Sequence, residues 1–515
     1  MNYNSLVQFL IGLENKYPVD EWVVDGVHIW PLARNLIGAV LDNHIAGCWG
    51  KDVHVETQLS RQRTIAKKLV LYGKILMQTL LGNFKLSVCD SKHRQRLQFA
   101  DVVILGDSIG RNVCMPNGEL MEHNVDPIRY EFERRGYSVM RFEVINNSLR
   151  YPRWGNSYIV DDLIVKVLVK RKIAFFMGKG KKIEYPSFEQ MIKECIEVCG
   201  NDEYINSRGI SGELKFIQYL SEEFLVLLKR IKPCMVLLTC WYSNTKMALT
   251  LAAHKLGVPV VDVQHGVAGG SGRHFAYCDW IHIPHGGYEL LPDYMWVWNQ
   301  ADYNAIARWG MGAVTPILGG HPMNILWCNP ENDILEYYHN KFEREFGREY
   351  PFILFSLQPG LNYPDWIVDF INTSHEYTWL IRLHPFVDEN ERVLLRKLEK
   401  RGNIIWESVE VFPLDFLLQH VSVHITSHSS VVIDSAEFSC PSIVLHPLAC
   451  QLYDSQIKRG IACYAGNREE LTVAIEKMLS LRRRNLDFEP IRKKMYAQGQ
   501  QGMDKMVEII GMYKC

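Results

Sequence analysis

Val421-Ser422-Val423-His424-Ile425-Thr426-Ser427-His428-Ser429-Ser430-Val431-Val432-Ile433-Asp434 runs from an apolar stretch, across a turn of small hydroxyl residues, into a helix that continues through Ser435-Ala436-Glu437. An apolar run of strand length that gives way to a helix at such a turn is one unit of an α/β sheet. The unit recurs along the chain. Similar runs stand at Val102–Leu105, Met235–Leu238, Val258–Val263, Phe352–Ser356, Trp379–Leu383 and Ser442–Leu445, with amphipathic stretches between them. Nearly continuous apolar strands separated by helices predict parallel sheets covered on both faces. They form two series, from about residue 100 to 310 and from about 316 to 480, and Gly319-Gly320-His321-Pro322 lies near the join. The reading is an α/β protein with two doubly wound Rossmann-like domains facing a cleft and a mainly helical N-terminal appendage. The boundaries fall at residues 1–100 for the appendage, 101–315 and 316–485 for the two domains, and 486–515 for a C-terminal helix able to cross back to the first.

Bulk properties narrow the function classes. At 515 residues the chain exceeds what one hydrophobic core organises. A formal net charge of -1 argues against a nucleic-acid partner. The 13 cysteines are scattered and include no C-x-x-C pair, as expected of reduced thiols in a cytosolic protein rather than of a zinc or redox motif. The first residues lack a basic segment followed by an apolar core, and no stretch of about 18 apolar residues occurs, so neither a signal peptide nor a membrane span is expected. The expected location is cytoplasmic. Residues 61–96 are strongly basic against the single acid Asp90, with leucines and isoleucines interleaved. Two readings are open: a helix lying on the inner, anionic face of the plasma membrane, or one packed on its own domain with a solvated basic face.

Several short segments carry chemistry. Small hydroxyl residues at a strand-to-helix turn bring Ser427, Ser429 and Ser430, with His428, to a helix N-terminus, where backbone N–H groups and the helix dipole receive a phosphate. The bland alternative is a plain N-cap, for which Ser is a favoured residue. Arg382-Leu383-His384-Pro385 ends the apolar run before it; His384 offers a hydrogen bond to phosphate or ribose, Arg382 permanent charge, and Pro385 a stiff turn. In the first domain, Gln264-His265-Gly266 ends another apolar run. His265 is there an acceptor-side base, a group that orients the donor phosphates, or a buried turn histidine bonded to backbone, and Gly266 allows close approach of a ligand. His321 lines the cleft or serves as a structural hinge. Asp107, in Leu105-Gly106-Asp107-Ser108, places a carboxylate in the cleft as a candidate general base. The same Gly-Asp-Ser opens the nucleophile block of some lipid hydrolases, but no matching downstream Asp-x-x-His is convincing. Trp22 to Arg34 reads as a buried aromatic turn. No metal-ligand pattern stands out, so a metal-independent reaction without cofactor is expected.

Arg382-Leu383-His384-Pro385 followed by Thr426-Ser427-His428-Ser429-Ser430 resembles the paired His-Pro and Ser-Ser motifs of the two-domain (GT-B) bacterial sialyl- and Kdo-transferases. There the motifs hold the nucleotide of a CMP-sugar. The pair is also similar to a stretch of the CDP-glycerol glycerophosphotransferases of wall teichoic acid synthesis, although Ser427-His428 departs from the Asp-Tyr those enzymes carry before the serine pair. Ser435-Ala436-Glu437-Phe438, with Cys440-Pro441-Ser442-Ile443-Val444, resembles GT-B enzymes broadly, including UDP-GlcNAc epimerases. By that resemblance Glu437 holds the donor's ribose or sugar hydroxyls. Gly257-Val258-Pro259 with Gln264-His265-Gly266 looks like surface-polysaccharide transferases. The resemblance covers roughly residues 235–480 and implies a first domain for the acceptor and a second for a nucleotide-sugar donor. The implied acceptor is a lipid-linked or oligosaccharide chain. A non-catalytic nucleotide-sugar binding protein of polysaccharide assembly is the reading outside the enzyme class.

Overall fold

A computed structural model describes residues 3–48, 97–106, 111–144, 157–176, 183–199, 205–266, 276–329, 333–347, 351–384 apart from 359 and 362, 389–399, 401–484 and 489–513. The basic stretch 61–96, Asp107 and Pro385 lie outside these residues. Among the described residues, no helix is long and apolar enough to cross a membrane.

The chain opens with helices Tyr3–Lys16 and Trp30–Cys48, joined through a two-stranded ribbon of β1 (Val23–Val24) and β2 (Val27–His28). Leu6, Leu10, Trp22 and Trp30 share one buried core with Val103 and Leu105 of the first sheet, so this helical stretch packs directly onto the first domain. Trp22 meets Trp30 and Phe188 edge-on, an arrangement aromatic quadrupoles favour. Within the stretch, Arg34 Nε lies 2.9 Å from Glu14 Oε1, both side chains fully buried.

The first sheet contains β3 (Val102–Leu105), β6 (Val139–Glu143), β7 (Ser157–Ile159), β8 (Met235–Leu238), β9 (Val260–Val263), β10 (Tyr294–Val297) and β11 (Thr315–Leu318). Their order is β11-β10-β9-β8-β3-β6-β7, all parallel. A hairpin of β4 (Arg111–Cys114) and β5 (Leu120–Glu122) follows β3. The second sheet contains β12 (Phe352–Ser356), β13 (Thr378–Arg382), β14 (Ile404–Ile405), β15 (Val423–Thr426), β16 (Ser442–Val444) and β17 (Ala462–Tyr464). It runs in the order β14-β13-β12-β15-β16-β17, again all parallel. The fold is two doubly wound, Rossmann-like domains. The first sheet extends through Thr315–Leu318, whose four residues pair with Tyr294–Val297, so the boundary drawn at residue 315 falls inside a strand.

Two features tie the domains together. Val113, Met115 and Met121 of the hairpin region are buried in one core with Trp327, Tyr338, Phe412 and Phe416 of the second half. The Tyr338 hydroxyl donates to the Cys114 carbonyl. The helix Glu489–Tyr513 then brings the end of the chain back to the first domain, where Met503, Met506, Ile509 and Ile510 are buried against Val102, Ile104, Leu237 and Trp296. It crosses at Gly319: a Cβ on Gly502 would stand 2.7 Å from the Gly319 Cα and 2.7 Å from the Trp296 ring. Only a glycine fits there.

Candidate functional site

In an open parallel sheet, ligands collect outside the C-terminal strand ends, where the strand order reverses. In the second sheet the chain moves outward one way from β12 to β14 and the other way from β15 to β17, so the reversal lies between β12 and β15. The crevice there is formed by Gln358, just beyond β12, and by the turn Ser427–Ser430, just beyond β15. Gln358 Oε1 accepts the His428 backbone N–H at 2.7 Å, and the Tyr453 hydroxyl donates to the His428 carbonyl at 2.9 Å. With the turn fixed from both sides, Ser429 and Ser430 stay half-buried at the opening.

Their bonding departs from a simple cap. Ser430 precedes the helix Val431–Glu437 with helical dihedrals, φ -60° and ψ -15°, and its hydroxyl makes no cap bond. The Ser429 hydroxyl accepts only a long 3.4 Å contact from the Val431 N–H. Among the described residues, the backbone N–H groups of Ser429 and Ser430 have no protein partner. Such a set of donors at a helix start suits an anion. Two imidazoles flank it. The His428 and His446 rings lie 5.1 Å apart; burial, then His446, lowers His428 to about 4, and burial lowers His446 as well. Both are neutral hydrogen-bonding groups at pH 7. His446 Nδ1 accepts the Leu448 N–H at 3.1 Å, which leaves the proton of the neutral ring on Nε2.

The other sequence-predicted residues of this domain stand nearby with different commitments. Arg382 Nη1 donates to the carbonyls of Phe412 at 2.5 Å and Val409 at 3.4 Å, so part of its donor capacity holds the neighbouring loop. Burial lowers its guanidinium to about 10, opposed by Asp415 and Glu410. The His384 backbone N–H donates to Glu391 Oε1 at 2.9 Å, anchoring the end of β13.

Glu437 reaches toward the first domain. Its Oε2 lies 3.5 Å from Nδ2 of Asn324, on the short helix after β11. Burial, reinforced by Asp415 and by Asp302 of the first domain, pushes its carboxyl up to about 8, against the Asn324 hydrogen bond. Asp415 is raised to about 6 by burial, with His123 and Arg382 opposing. Asp434 is raised well above the carboxylate range by burial, and its Oδ1 is buried without a partner. The interdomain surface is therefore rich in acceptors and in carboxyls held near neutrality, a setting that suits ligand hydroxyls better than anions. Among the described residues, no three His, Cys, Asp or Glu side chains converge as metal ligands would.

Across from this surface, the first sheet reverses between β3 and β8. Beyond β3, Gly106 packs on a buried ion cluster in which Arg141 lies 2.5 Å from Asp126 and 3.1 Å from Glu122. A Cβ on Gly106 would fall 2.4 Å from Glu122 Oε2. Beyond β8 and β9 stand Tyr242 and His265. The His265 ring contacts the Tyr242 hydroxyl through Nε2 at 3.2 Å and the Tyr277 hydroxyl through Nδ1 at 3.4 Å. Gln264 is buried and ties the strand ends together, donating to Asp302 Oδ2 at 2.9 Å and to the Gly266 carbonyl at 2.8 Å. His321 is 5% exposed, with Nδ1 accepting the Met323 N–H at 3.3 Å and its ring against Trp298 at 4.5 Å. Burial, then His123, lowers it to about 3.

Thus Ser427, His428, Ser429 and Ser430 gather at one crevice, Glu437 faces the first domain, and His265 with Gly266 stands at the opposing strand ends. Sequence reading missed Gln358, His446, Tyr242 and Tyr277. Two of these had a signal: Gln358 precedes Pro359-Gly360 after a strand, and His446-Pro447 repeats the His384-Pro385 pattern after β16. Tyr277 had none, because it reaches His265 from a separate loop.

No family model matches the chain, and no curated protein matches it in sequence. Among solved structures, it is similar to the UDP-GlcNAc 2-epimerase of Neisseria meningitidis bound to UDP-GlcNAc, with TM-score 0.46 and 11% identity over 79% of this chain and 98% of that one. It is also similar to the glycotransferase of kitacinnamycin, with TM-score 0.46 and 11% identity over 82% and 100%. The UDP-GlcNAc 2-epimerase of Methanocaldococcus jannaschii, in complex with UDP-GlcNAc and UDP, gives TM-score 0.44 and 16% identity over 80% and 99%. These likenesses are remote and do not reach the chemistry of the site.

Proposed function

We propose that the chain is a glycosyltransferase of the GT-B kind, moving a sugar from a CMP- or UDP-activated donor to a growing bacterial surface polysaccharide, such as a lipopolysaccharide O-antigen or a capsule. The observation that carries this reading is the turn Ser427–Ser430 at the strand-order reversal between β12 and β15, where the backbone N–H groups of Ser429 and Ser430 have no protein partner among the described residues. A nucleotide leaving a sugar departs as a phosphate anion, and donors fixed in advance stabilise the charge as it develops. His428 and His446 supply neutral N–H or lone-pair contacts beside it, and Glu437 and Asn324 offer acceptors and a donor to ribose or sugar hydroxyls. The acceptor, a lipid-linked or oligosaccharide chain, enters from the first domain, where Asp107 or His265 takes the proton of its hydroxyl and the displacement inverts the sugar carbon. The reaction runs at the inner face of the plasma membrane, with the basic residues 61–96 as the contact.

The test is thermal stabilisation of the purified chain by CMP, UDP, GDP and CDP, each also as its activated donor. A shift with CMP or UDP, followed by nucleotide release on adding acceptor glycan, is expected. No shift with any nucleotide overturns the reading. A CDP-polyol donor turned over in place of a sugar donor would assign a phosphotransferase of the teichoic-acid type, and binding without release a non-catalytic protein.

A further inference from the structure

Behind His265 lies a chain of hydrogen bonds whose direction can be worked out atom by atom. Asp262, at the end of β9, is fully buried. Its Oδ1 accepts the Trp241 backbone N–H at 3.1 Å, and its Oδ2 accepts the Tyr277 hydroxyl at 2.8 Å. A carboxylate only accepts, so the single Tyr277 proton is committed to Asp262. Burial, reinforced by Asp262, raises Tyr277 well above the phenol range, which keeps that proton in place. The Tyr277 oxygen is left as an acceptor toward His265 Nδ1, 3.4 Å away, and Nδ1 must therefore carry the imidazole proton. In the neutral ring Nε2 is then the lone-pair nitrogen, and the Tyr242 hydroxyl, 3.2 Å away, donates to it. The order runs outward, from buried Asp262 and Tyr277 to half-buried His265 and Tyr242, at the end of the first domain where its strand order reverses.

The loop bearing Tyr277 is held independently. The Trp309 indole donates to the Tyr277 carbonyl at 3.0 Å. Arg34 donates to the Asp279 carbonyl at 2.7 Å and lies 4.2 Å over the Trp280 ring, while Glu14 Oε2 accepts the Ile281 N–H at 2.7 Å. The buried Glu14–Arg34 pair of the N-terminal helices thus clamps the segment that orients His265.

We propose that Asp262, Tyr277, His265 and Tyr242 form a directed proton relay whose outer end, the Tyr242 hydroxyl on His265 Nε2, takes the proton of the acceptor hydroxyl. This rests on the glycosyl-transfer reading. As the acceptor oxygen bonds to the sugar carbon, the bond from that carbon to the nucleotide phosphate breaks and its electron pair leaves with the phosphate. The acceptor proton passes to the Tyr242 oxygen while the Tyr242 proton passes to Nε2. The resulting imidazolium donates through Nδ1 to Tyr277, and Asp262 balances its charge. Tyr242 is the catalytic residue; His265 stores the proton; Tyr277 and Asp262 are positioning residues, in the manner of a triad whose third member fixes the tautomer of the base.

The tautomer can be read without any substrate. Full-length protein labelled with 15N-histidine, with His265→Gln supplying the assignment by difference, should show His265 protonated at Nδ1 and unprotonated at Nε2 at neutral pH. Tyr277→Phe should shift that ring toward the Nε2–H form common in free histidine, whereas Tyr242→Phe should move the Nε2 resonance and leave Nδ1 protonated. If Tyr277→Phe does not fold, Tyr242→Phe decides. A wild-type His265 protonated at Nε2, or a Tyr242→Phe variant with an unchanged Nε2 resonance, overturns the relay. With the cognate donor, Tyr277→Phe should lower kcat on the order of 100-fold at unchanged donor KM; unchanged kcat also overturns it. Absence of turnover by the wild type with every donor would sink the transfer reading instead, while the tautomer result would still stand or fall by itself.

Discussion

At the head of the helix Val431–Glu437, the Ser430 hydroxyl caps nothing and the preceding N–H groups meet no protein acceptor among the described residues. Orphan donors at a helix start are ordinarily met by a side chain, water or a ligand, and a phosphate is the ligand they fit. Ser429→Ala with Ser430→Ala is expected to weaken nucleotide binding at least about tenfold, since one hydrogen bond to a charged group contributes about 1.5–3 kcal/mol. The unfolding midpoint should hardly move, because neither hydroxyl supports the fold. Titration calorimetry and thermal unfolding on the same samples check both halves. This turn was legible in the sequence because small hydroxyl residues follow an apolar run. The commitment of Arg382 Nη1 to backbone carbonyls was not legible, for a sequence shows a charge without showing which acceptors surround it.

Elements carry the next set of consequences. The strands read from sequence as apolar runs, such as Val102–Leu105, Met235–Leu238 and Phe352–Ser356, have those bounds in the structure. The strand Val139–Glu143 escaped notice because it carries Arg141 and Glu143, both fully buried and paired within an ion cluster, which breaks the apolar pattern. The helix pair at the N-terminus is similarly held by a charge pair. Arg34→Met leaves Glu14 buried without its cation, and breaking a buried pair from one side costs about 3–5 kcal/mol. Urea unfolding should register that loss, and the double variant Glu14→Gln with Arg34→Met should recover part of it. Full stability of Arg34→Met would mean the clamp on residues 278–281 is dispensable. At the other end of the chain, Gly502→Ala places a methyl group 2.7 Å from Gly319 Cα. It should lift the last helix from β11 and destabilise by about 1–3 kcal/mol, the usual cost of overpacking; an unchanged denaturation midpoint would show that the helix is not seated as described.

Over the whole molecule, burial sets an opposition between histidines and carboxyls. His321, His420 and His424 are lowered to about 3 and His428 to about 4, chiefly by burial. Each stays neutral in the folded chain while the unfolded chain, at about 6.5, binds a proton, so these groups remove stability as the pH falls below 6.5. Asp415 at about 6 and Glu437 at about 8, with Asp434 also raised, act the other way. The folded chain retains protons the unfolded chain releases above about 4, so stability declines as the pH climbs toward 8. The unfolding midpoint should therefore peak near about pH 6, and Glu437→Gln should flatten the decline between about 6.5 and 8. A midpoint still rising through pH 8 would contradict this balance. The two-domain architecture was legible from the spacing of apolar runs, but not the exchange between domains. The hairpin Arg111–Glu122 enters a core built largely by residues of the second half, and the last helix returns to the first. Both are long-range contacts without local periodicity.

A crystal structure of the full chain with UDP or CMP, whichever gives the larger thermal shift, addresses the central claim. A phosphate oxygen within hydrogen-bonding distance of the Ser429 and Ser430 N–H groups, with the ribose toward Glu437, is the expected result. A nucleotide bound away from that turn, with those N–H groups still facing solvent, would contradict the account.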